Sequence, residues 1–234
     1  MAANNYYRIS ALPSLGDLGS PPPLTPVALR EHVAEGPRGR ALVDSVLLFD
    51  DLLQREALVA GEVREVAPAI LSPAQVRNEE PLPEYLAPAD GPSPPRVASD
   101  AVWAAYFRYA HAMAVRRASS FLAAWVEHEV GLRNALAIAR AKALGLEPAD
   151  YLVTPELGRS GEDFSVLVGE WSAAATPLEG LHILDRNRWH WLAENDAWFT
   201  FADEELAAYA AKLMLLVRWQ RLAKAAEEQA QSKT

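Results

Sequence analysis

The chain has 234 residues, 50% of them hydrophobic, which is enough apolar material for a substantial core and excludes a disordered or collagen-like polymer. It has no cysteine, so disulfide staples, zinc–thiolate sites, iron–sulfur clusters and cysteine nucleophiles are excluded together, as suits a cytosolic chain. With 22 basic against 31 acidic side chains the formal charge is −9, so nucleic-acid phosphates and anionic lipid are repelled on average, and no nucleic-acid partner is expected without a local basic patch.

In chain order, Tyr6 to Leu12 is a short apolar run stopped by Pro13, read as either a strand or a first helical turn. The chain opens without the basic-then-apolar pattern of a secretory signal, and no apolar run approaches the roughly 18 residues of a membrane span, so direct membrane insertion is not expected. Thr25 followed by Pro26 is an N-cap with proline at the first helical position, and it opens a helix to about Glu35 that Gly36-Pro37 ends. From Arg40, the apolar residues Leu42, Val43, Val46, Leu47, Phe49, Leu52, Leu53 and Leu58 recur at the spacing of one helix face, with Gly61 as its stop.

Prolines at 68, 73, 81, 83, 88, 92, 94 and 95 then argue against helix and for extended chain. Ile70, Leu71, Leu82, Tyr85 and Leu86 suggest that this stretch lies down on a surface. The chain accordingly divides into an N-terminal helical part (1–67), a proline-rich linker or wrapping segment (68–98) and a main helical domain (99–234).

After the linker, Ser99 caps a stripe running through Val102, Trp103, Tyr106, Phe107, Met113, Phe121, Leu122, Trp125, Val126, Leu132, Leu136 and Ala139. With no proline before Pro148, a continuous helix from Ser99 to Leu144 would hold 46 residues. At about 1.5 Å per residue it would be roughly 70 Å long, with Gly131 as its one natural bend. Ser160-Gly161-Glu162-Asp163 resembles a capping box opening a helix toward Trp171, and Thr176-Pro177-Leu178-Glu179 is a better one. The last helix starts near Asp203, with Glu204 and Glu205 in its first turn, and its end from Lys224 to Thr234 is expected to fray. Strand-like alternation is nearly absent, so the fold class is all-α: an elongated helical bundle with one long helix.

Catalytic chemistry is hard to assemble from these residues. His128 lies between Glu127 and Glu129, but the position four residues on is Leu132, so the paired-histidine zinc pattern fails. Gly158 to Gly161 is too short for a phosphate loop, and Asp50 and Asp51 point about 100° apart on a helix. No catalytic residue, cofactor or metal is therefore assigned. A helical hydrolase would have to use Glu127, His128, Glu129 and Arg133. What stands out is a set of arginines and tryptophans. Glu129 and Arg133 share a helix face and can pair, with Asn134 beside them and Arg140 two turns on. Arg188, Trp189, His190 and Trp191, and then Arg218 and Trp219, place guanidinium groups beside indoles. These residues are candidates for orienting helices or contacting a partner.

Three stretches carry a family resemblance: the opening Asn5-Tyr6-Tyr7-Arg8-Ile9-Ser10-Ala11-Leu12-Pro13-Ser14-Leu15, the block Glu127 to Leu157, and the closing Ile183 to Trp219. They resemble an uncharacterised bacterial family encoded beside V-type ATPase genes, distantly similar to the C-type stalk protein of V/A-type ATPases, called d-type in eukaryotes. In the middle block Glu129, Asn134, Arg140, Lys142 and Gly145 match the C-type pattern, followed by Tyr151-Leu152 and Pro155. Tyr209 matches in the last helix, whereas Lys212, Met214 and Leu215 depart from it. The resemblance implies a reduced version of the C-type architecture, without its full three lobes. It also implies a non-catalytic central-stalk part that couples the central-shaft subunits to the membrane proteolipid ring for H⁺ or Na⁺ transport. Such a chain would be cytoplasmic and held at the membrane through the ATPase complex. A helical scaffold or assembly factor for that complex is the alternative.

Overall fold

The computed structural model describes residues 2–87, 96–159 and 161–231, and among these every regular element is a helix. The all-α expectation holds. Helices α1 (Ala2–Ser10), α2 (Pro26–His32) and α3 (Pro37–Val59) form the N-terminal part. Tyr6 to Ser10 is therefore helix and not strand. Thr25 caps α2 as expected, its Oγ1 accepting from Ala28 N at 3.1 Å, although α2 stops at His32.

Residues 68–87 of the proline-rich segment wrap the surface, as their apolar side chains suggest. Leu71, Val76 and Leu86 are fully or nearly fully buried, and Ile70 and Leu82 pack against the core. Tyr85 stacks on Tyr109 with ring centroids 4.5 Å apart. The expectation of helix-free chain is corrected at one place. Pro73 sits at the start of a short helix α4 (Pro73–Val76), where its missing N–H costs nothing, and Ser72 and Gln75 close a reciprocal capping box. Pro88, Pro92, Pro94 and Pro95 lie outside the described residues.

The expected 46-residue helix is two helices, α5 (Ala98–Arg117) and α6 (Ser120–Ala143), folded back on each other. The break falls at Ala118, which is left-handed (φ 48°, ψ 52°), and Ser119 then caps α6 by accepting from Leu122 N at 3.1 Å. The Ser119 N–H reaches back to Ala114 O at 2.9 Å, satisfying a carbonyl of the ended helix. Gly131, the expected bend, lies within the unbroken α6 and serves packing: a β-carbon there would meet Phe164 Cε2 at 2.9 Å. Ser99 does not cap α5, which starts at Ala98 without a side-chain cap.

The remaining helices are α7 (Ser165–Ala173), α8 (Pro177–Asn195) and α9 (Asp203–Gln231). Ser160 lies outside the described residues; α7 begins later than the expected box, with Asp163 Oδ1 accepting from Ser165 N at 2.8 Å. Thr176 does cap α8, accepting from Glu179 N at 3.1 Å. The helical course of α9 continues to Gln231, and the final three residues of the expected frayed end lie outside the described residues.

At the centre is α3, buried on nearly all sides between α5 and α9. Alanines 207, 208, 210 and 211 on α9 are buried and let its backbone approach closely. Phe49 of α3 meets Trp103 and Trp125 at centroid distances of 5.2 and 5.9 Å. Tyr106 donates to Ser45 O at 3.0 Å, and burial pushes its hydroxyl pKa far up, so it stays a donor. One core takes residues from α2 to α6 and from α8 and α9, and a smaller cluster of Leu132, Phe164, Leu167 and Leu184 seats α7 and α8 on the far end of α6.

Candidate functional site

The buried positions of a central helix cannot present polar side chains to water, yet α3 carries Asp50, Asp51 and Gln54 there. Unpaired, each would carry a large desolvation cost. Their partners, and those of buried Glu129 and Asp185, form a polar seam where α3, α6, α8 and α9 meet.

Arg188 of α8 grips Glu129 of α6 with a two-pronged fork, Nε to Oε1 at 2.7 Å and Nη2 to Oε2 at 3.0 Å. Its third donor, Nη1, reaches Asp185 one turn back at 3.1 Å, and its guanidinium carbon lies 5.6 Å from the Phe49 ring centre. From the other side Asp185 accepts Arg218 Nε of α9 at 3.0 and 3.2 Å. One turn further along α9, Arg221 forks Asp50 at 2.7 and 3.0 Å. Asp50 also accepts from Gln54 at 2.9 Å, and Gln54 Oε1 accepts from Ala67 N at 2.8 Å. Glu129, Asp185 and Asp50 thus face Arg188, Arg218 and Arg221, three negative charges against three positive. Burial alone would lower the Arg188 pKa, but the adjacent Glu129 and Asp185 charges outweigh it and hold the pKa above the ordinary arginine value. Burial and Asp50 act in the same opposed way at Arg221, with the same outcome.

Asp51 is handled differently. Its carboxylate accepts three consecutive backbone N–H groups, from Ala69, Ile70 and Leu71, at 2.7 to 2.8 Å. Burial outweighs these donors and pushes the Asp51 pKa up to about 6. This side chain pins the wrapping segment onto α3.

The sequence-marked residues fall into three groups. Glu129, Arg188 and Arg218 come together in the seam. Glu129 does not pair with Arg133, however; the local spacing rule is overridden by Arg188, which arrives from another helix. Arg133 instead binds Asp100 at 3.0 Å and Glu56 at 3.4 Å and lies 4.6 Å from the Trp103 ring centre. Arg140 is exposed and sits over Trp171 at 5.0 Å, outside the seam. Asn134 clamps the chain beyond α6, donating to Val153 O at 3.0 Å and accepting from Val153 N at 2.8 Å.

The tryptophans are packing residues and do not sit under the arginines next to them in sequence. Trp191 is buried, stacks on His128 at 4.9 Å and touches Trp125 at 5.8 Å. Trp219 stacks on His182 at 4.0 Å, and burial lowers the His182 pKa. Trp189 packs against the core edge. His128 of the hypothetical hydrolase set hydrogen-bonds Glu162 at 2.7 Å, while Glu129 is neutralised by Arg188, so the two do not converge on one reactive point.

Sequence reasoning missed Asp185, Asp50, Gln54 and Arg221. Asp185 carried one usable signal, its position three residues before Arg188 on the same helix. Among the described residues no cluster of histidine and carboxylate groups has an arrangement that could hold a metal ion, and no helix is long and apolar enough to cross a membrane. The seam's chemistry is mechanical. Donors and acceptors are matched, and helices α3, α6, α8 and α9 are fixed in relative register.

No family model matches the chain, and neither a curated protein nor a solved structure matches it.

Proposed function

We propose that this chain is a non-catalytic coupling subunit of a bacterial V/A-type rotary ATPase, linking the central-shaft subunits to the membrane proteolipid ring. The observation that carries the reading is how the three resembling stretches are joined. The Glu129–Arg188 fork ties the middle stretch to the closing one, and Asp185–Arg218 continues the tie onto α9. The opening stretch is fastened to the same helix, where Tyr209 donates to Pro13 O at 2.8 Å. Burial pushes the Tyr209 pKa up to about 12, so this donor persists across the physiological range. A part that transmits torque must not let its helices slide, and bidentate buried pairs resist sliding because every alternative register leaves charges unpaired. Stiffness in this reading comes from the cross-linked bundle. A single 46-residue rod plays no part in it.

The chain would then be cytoplasmic and peripheral, held by contacts with the complex and not by lipid. Copurification tests this. From cells carrying such an ATPase, the tagged full chain should recover both shaft and proteolipid subunits in the intact complex. Recovery only with partly assembled complexes would make it an assembly factor instead, and recovery with neither would overturn both readings.

A further inference from the structure

The seam matches each of its buried charges, whereas the hold between α6 and the leading end of α7 leaves polar atoms stranded. Glu162 meets His128 through one hydrogen bond, with Nδ1 and Oε1 2.7 Å apart. The second polar atom of each partner, His128 Nε2 and Glu162 Oε2, is shut away from water and has no hydrogen-bond partner among the described residues. Two stranded atoms offset most of what one bond contributes. Little else fastens this end. α7 has nine residues with Gly169 at its centre, and Leu167 is its one buried residue; a helix that short is marginal by itself, and glycine weakens it further. Phe164, just before it, rests on Gly131 and lies 5.5 Å from the His128 ring. Between α6 and α7 opens a cleft of about 730 Å³, walled by Ala135, Ile138 and Ala139 on one side and by Phe164 and Val168 on the other.

The trailing end is fastened firmly. Trp171 lies under Arg140 at 5.0 Å and closes on Gly180 of α8, where a β-carbon would meet its ring at 3.2 Å. Ala175 N donates to Glu179 Oε2 at 2.8 Å and Thr176 caps α8, so the chain passes without slack into a helix that the seam holds. At the other end Gly161 is left-handed (φ 92°), and nothing lies within 4 Å of where a β-carbon would sit. It has both the backbone freedom and the room to absorb a change of direction.

We propose that residues 161–173 are a lid that swings off α6 about its Trp171 end, with Gly161 taking up the backbone change, while the seam stays closed. Closed is the resting state, since Phe164 and Leu167 are buried in it. Opening uncovers the cleft and the His128 ring, which is 2% exposed against Phe164 and Glu162, and it hydrates the two stranded atoms. The seam's bonds include no residue of 161–173, so the lid can leave without breaking them. The lid lies outside the three resembling stretches and is independent of the ATPase reading.

Two measurements on the intact chain test the lid: amide hydrogen exchange, and acylation of histidines by diethyl pyrocarbonate read site by site in a mass spectrometer. Corrected for intrinsic rates, the α7 amides from Val168 onward should exchange on the order of a hundredfold or more faster than the buried amides of α3. They should respond only weakly to mild denaturant, because a small opening exposes little surface. His128 should be acylated in step with them, whereas a helix that merely frays in place would leave it unreacted. Arg188→Met should speed exchange in α3 and leave α7 and His128 as they were. Gly131→Ala, by pressing on Phe164, should speed His128 acylation roughly tenfold. Exchange in α7 and acylation of His128 that track α3, in denaturant or in Arg188→Met, would overturn the proposal, as would exchange in α7 without acylation of His128. The denaturant response of the unaltered chain decides the matter if Arg188→Met fails to fold.

Discussion

Asp50 and Asp51 are neighbours on α3, both buried, and the fold neutralises them in opposite ways. Asp50 belongs to the seam and is matched by Arg221, much as Glu129 and Asp185 are matched by Arg188 and Arg218. Asp51 meets only the N–H dipoles of the wrapping segment. A full opposite charge offsets burial to the point that the arginine pKa rises at Arg188 and Arg221. Three dipoles do not, and the Asp51 pKa climbs to about 6. The helix-to-helix ties are thereby built to persist with pH, and the tie that holds the wrap is not.

The largest effect should come from unbalancing the seam. Arg188→Met leaves Glu129 and Asp185 buried beside Arg218 alone and should cost about 3–5 kcal/mol in denaturant unfolding. The double variant Glu129→Gln/Arg188→Met restores the balance with Asp185 and Arg218 still paired, so it should lose distinctly less than the two single losses added together. If the losses simply add, the seam is a set of independent polar contacts and the contrast with Asp51 collapses.

The Asp51 side of the comparison predicts a pH dependence. Its folded pKa, about 6, lies above the ordinary 3.8, so the folded state binds this proton more tightly than the unfolded chain does. The associated stability is fully present below about pH 4 and is lost as pH rises through 6. Asp51→Asn lacks this titration. The stability gap between the wild type and this variant should therefore widen by roughly 2–3 kcal/mol from pH 7 down to 4, at about 1.36 kcal/mol per pH unit. A gap that narrows on acidification would mean that the three N–H donors outweigh burial.

How far these features were readable in the chain follows a pattern. Helix faces and the Thr25 and Thr176 caps are local, and they were legible in the spacing of apolar residues and in single polar positions. The break at Ala118 was not, because alanine is the strongest helix former and nothing about it advertises a left-handed turn; only Ser119, a competent cap, marked the place. That omission hid the α5–α6 hairpin and, with it, the seam. Glu129, Arg188 and Arg218 were recognisable as charges on otherwise apolar helices. The partner of Glu129, however, lies 59 residues away, and helical spacing reveals only partners within a turn or so. Arg221 went unmarked for the same reason, since its partner Asp50 lies 171 residues away.

Gly131 marks the next step down in size. A β-carbon there would press on Phe164 Cε2 at 2.9 Å, and such overpacking costs about 1–3 kcal/mol, against which alanine regains up to about 1 kcal/mol of helix propensity. Gly131→Ala should thus lose about 1–2 kcal/mol, and Gly131→Ala/Phe164→Leu should lose less than the sum of its two single variants by thermal melting. A neutral Gly131→Ala would show that α7 moves aside freely and that the smaller cluster is not locked to the seam.

The smallest effect tests whether burial is what separates the seam from an ordinary ion pair. Arg133 pairs with Asp100 and Glu56 and covers Trp103, so its inventory of contacts resembles that of Arg188. Its side chain is 26% exposed, however, against 10% for Arg188. Water and salt therefore reach Arg133, and Arg133→Ala should cost about 1 kcal/mol, part of it the packing over the indole. Raising the salt from about 0.1 to 1 M shortens the screening length from roughly 10 to 3 Å. The loss at Arg133 should shrink accordingly, while the loss from Arg188→Met stays nearly constant. Equal salt sensitivity at the two arginines would mean that solvent enters the seam, and that its rigidity comes from the surrounding apolar packing.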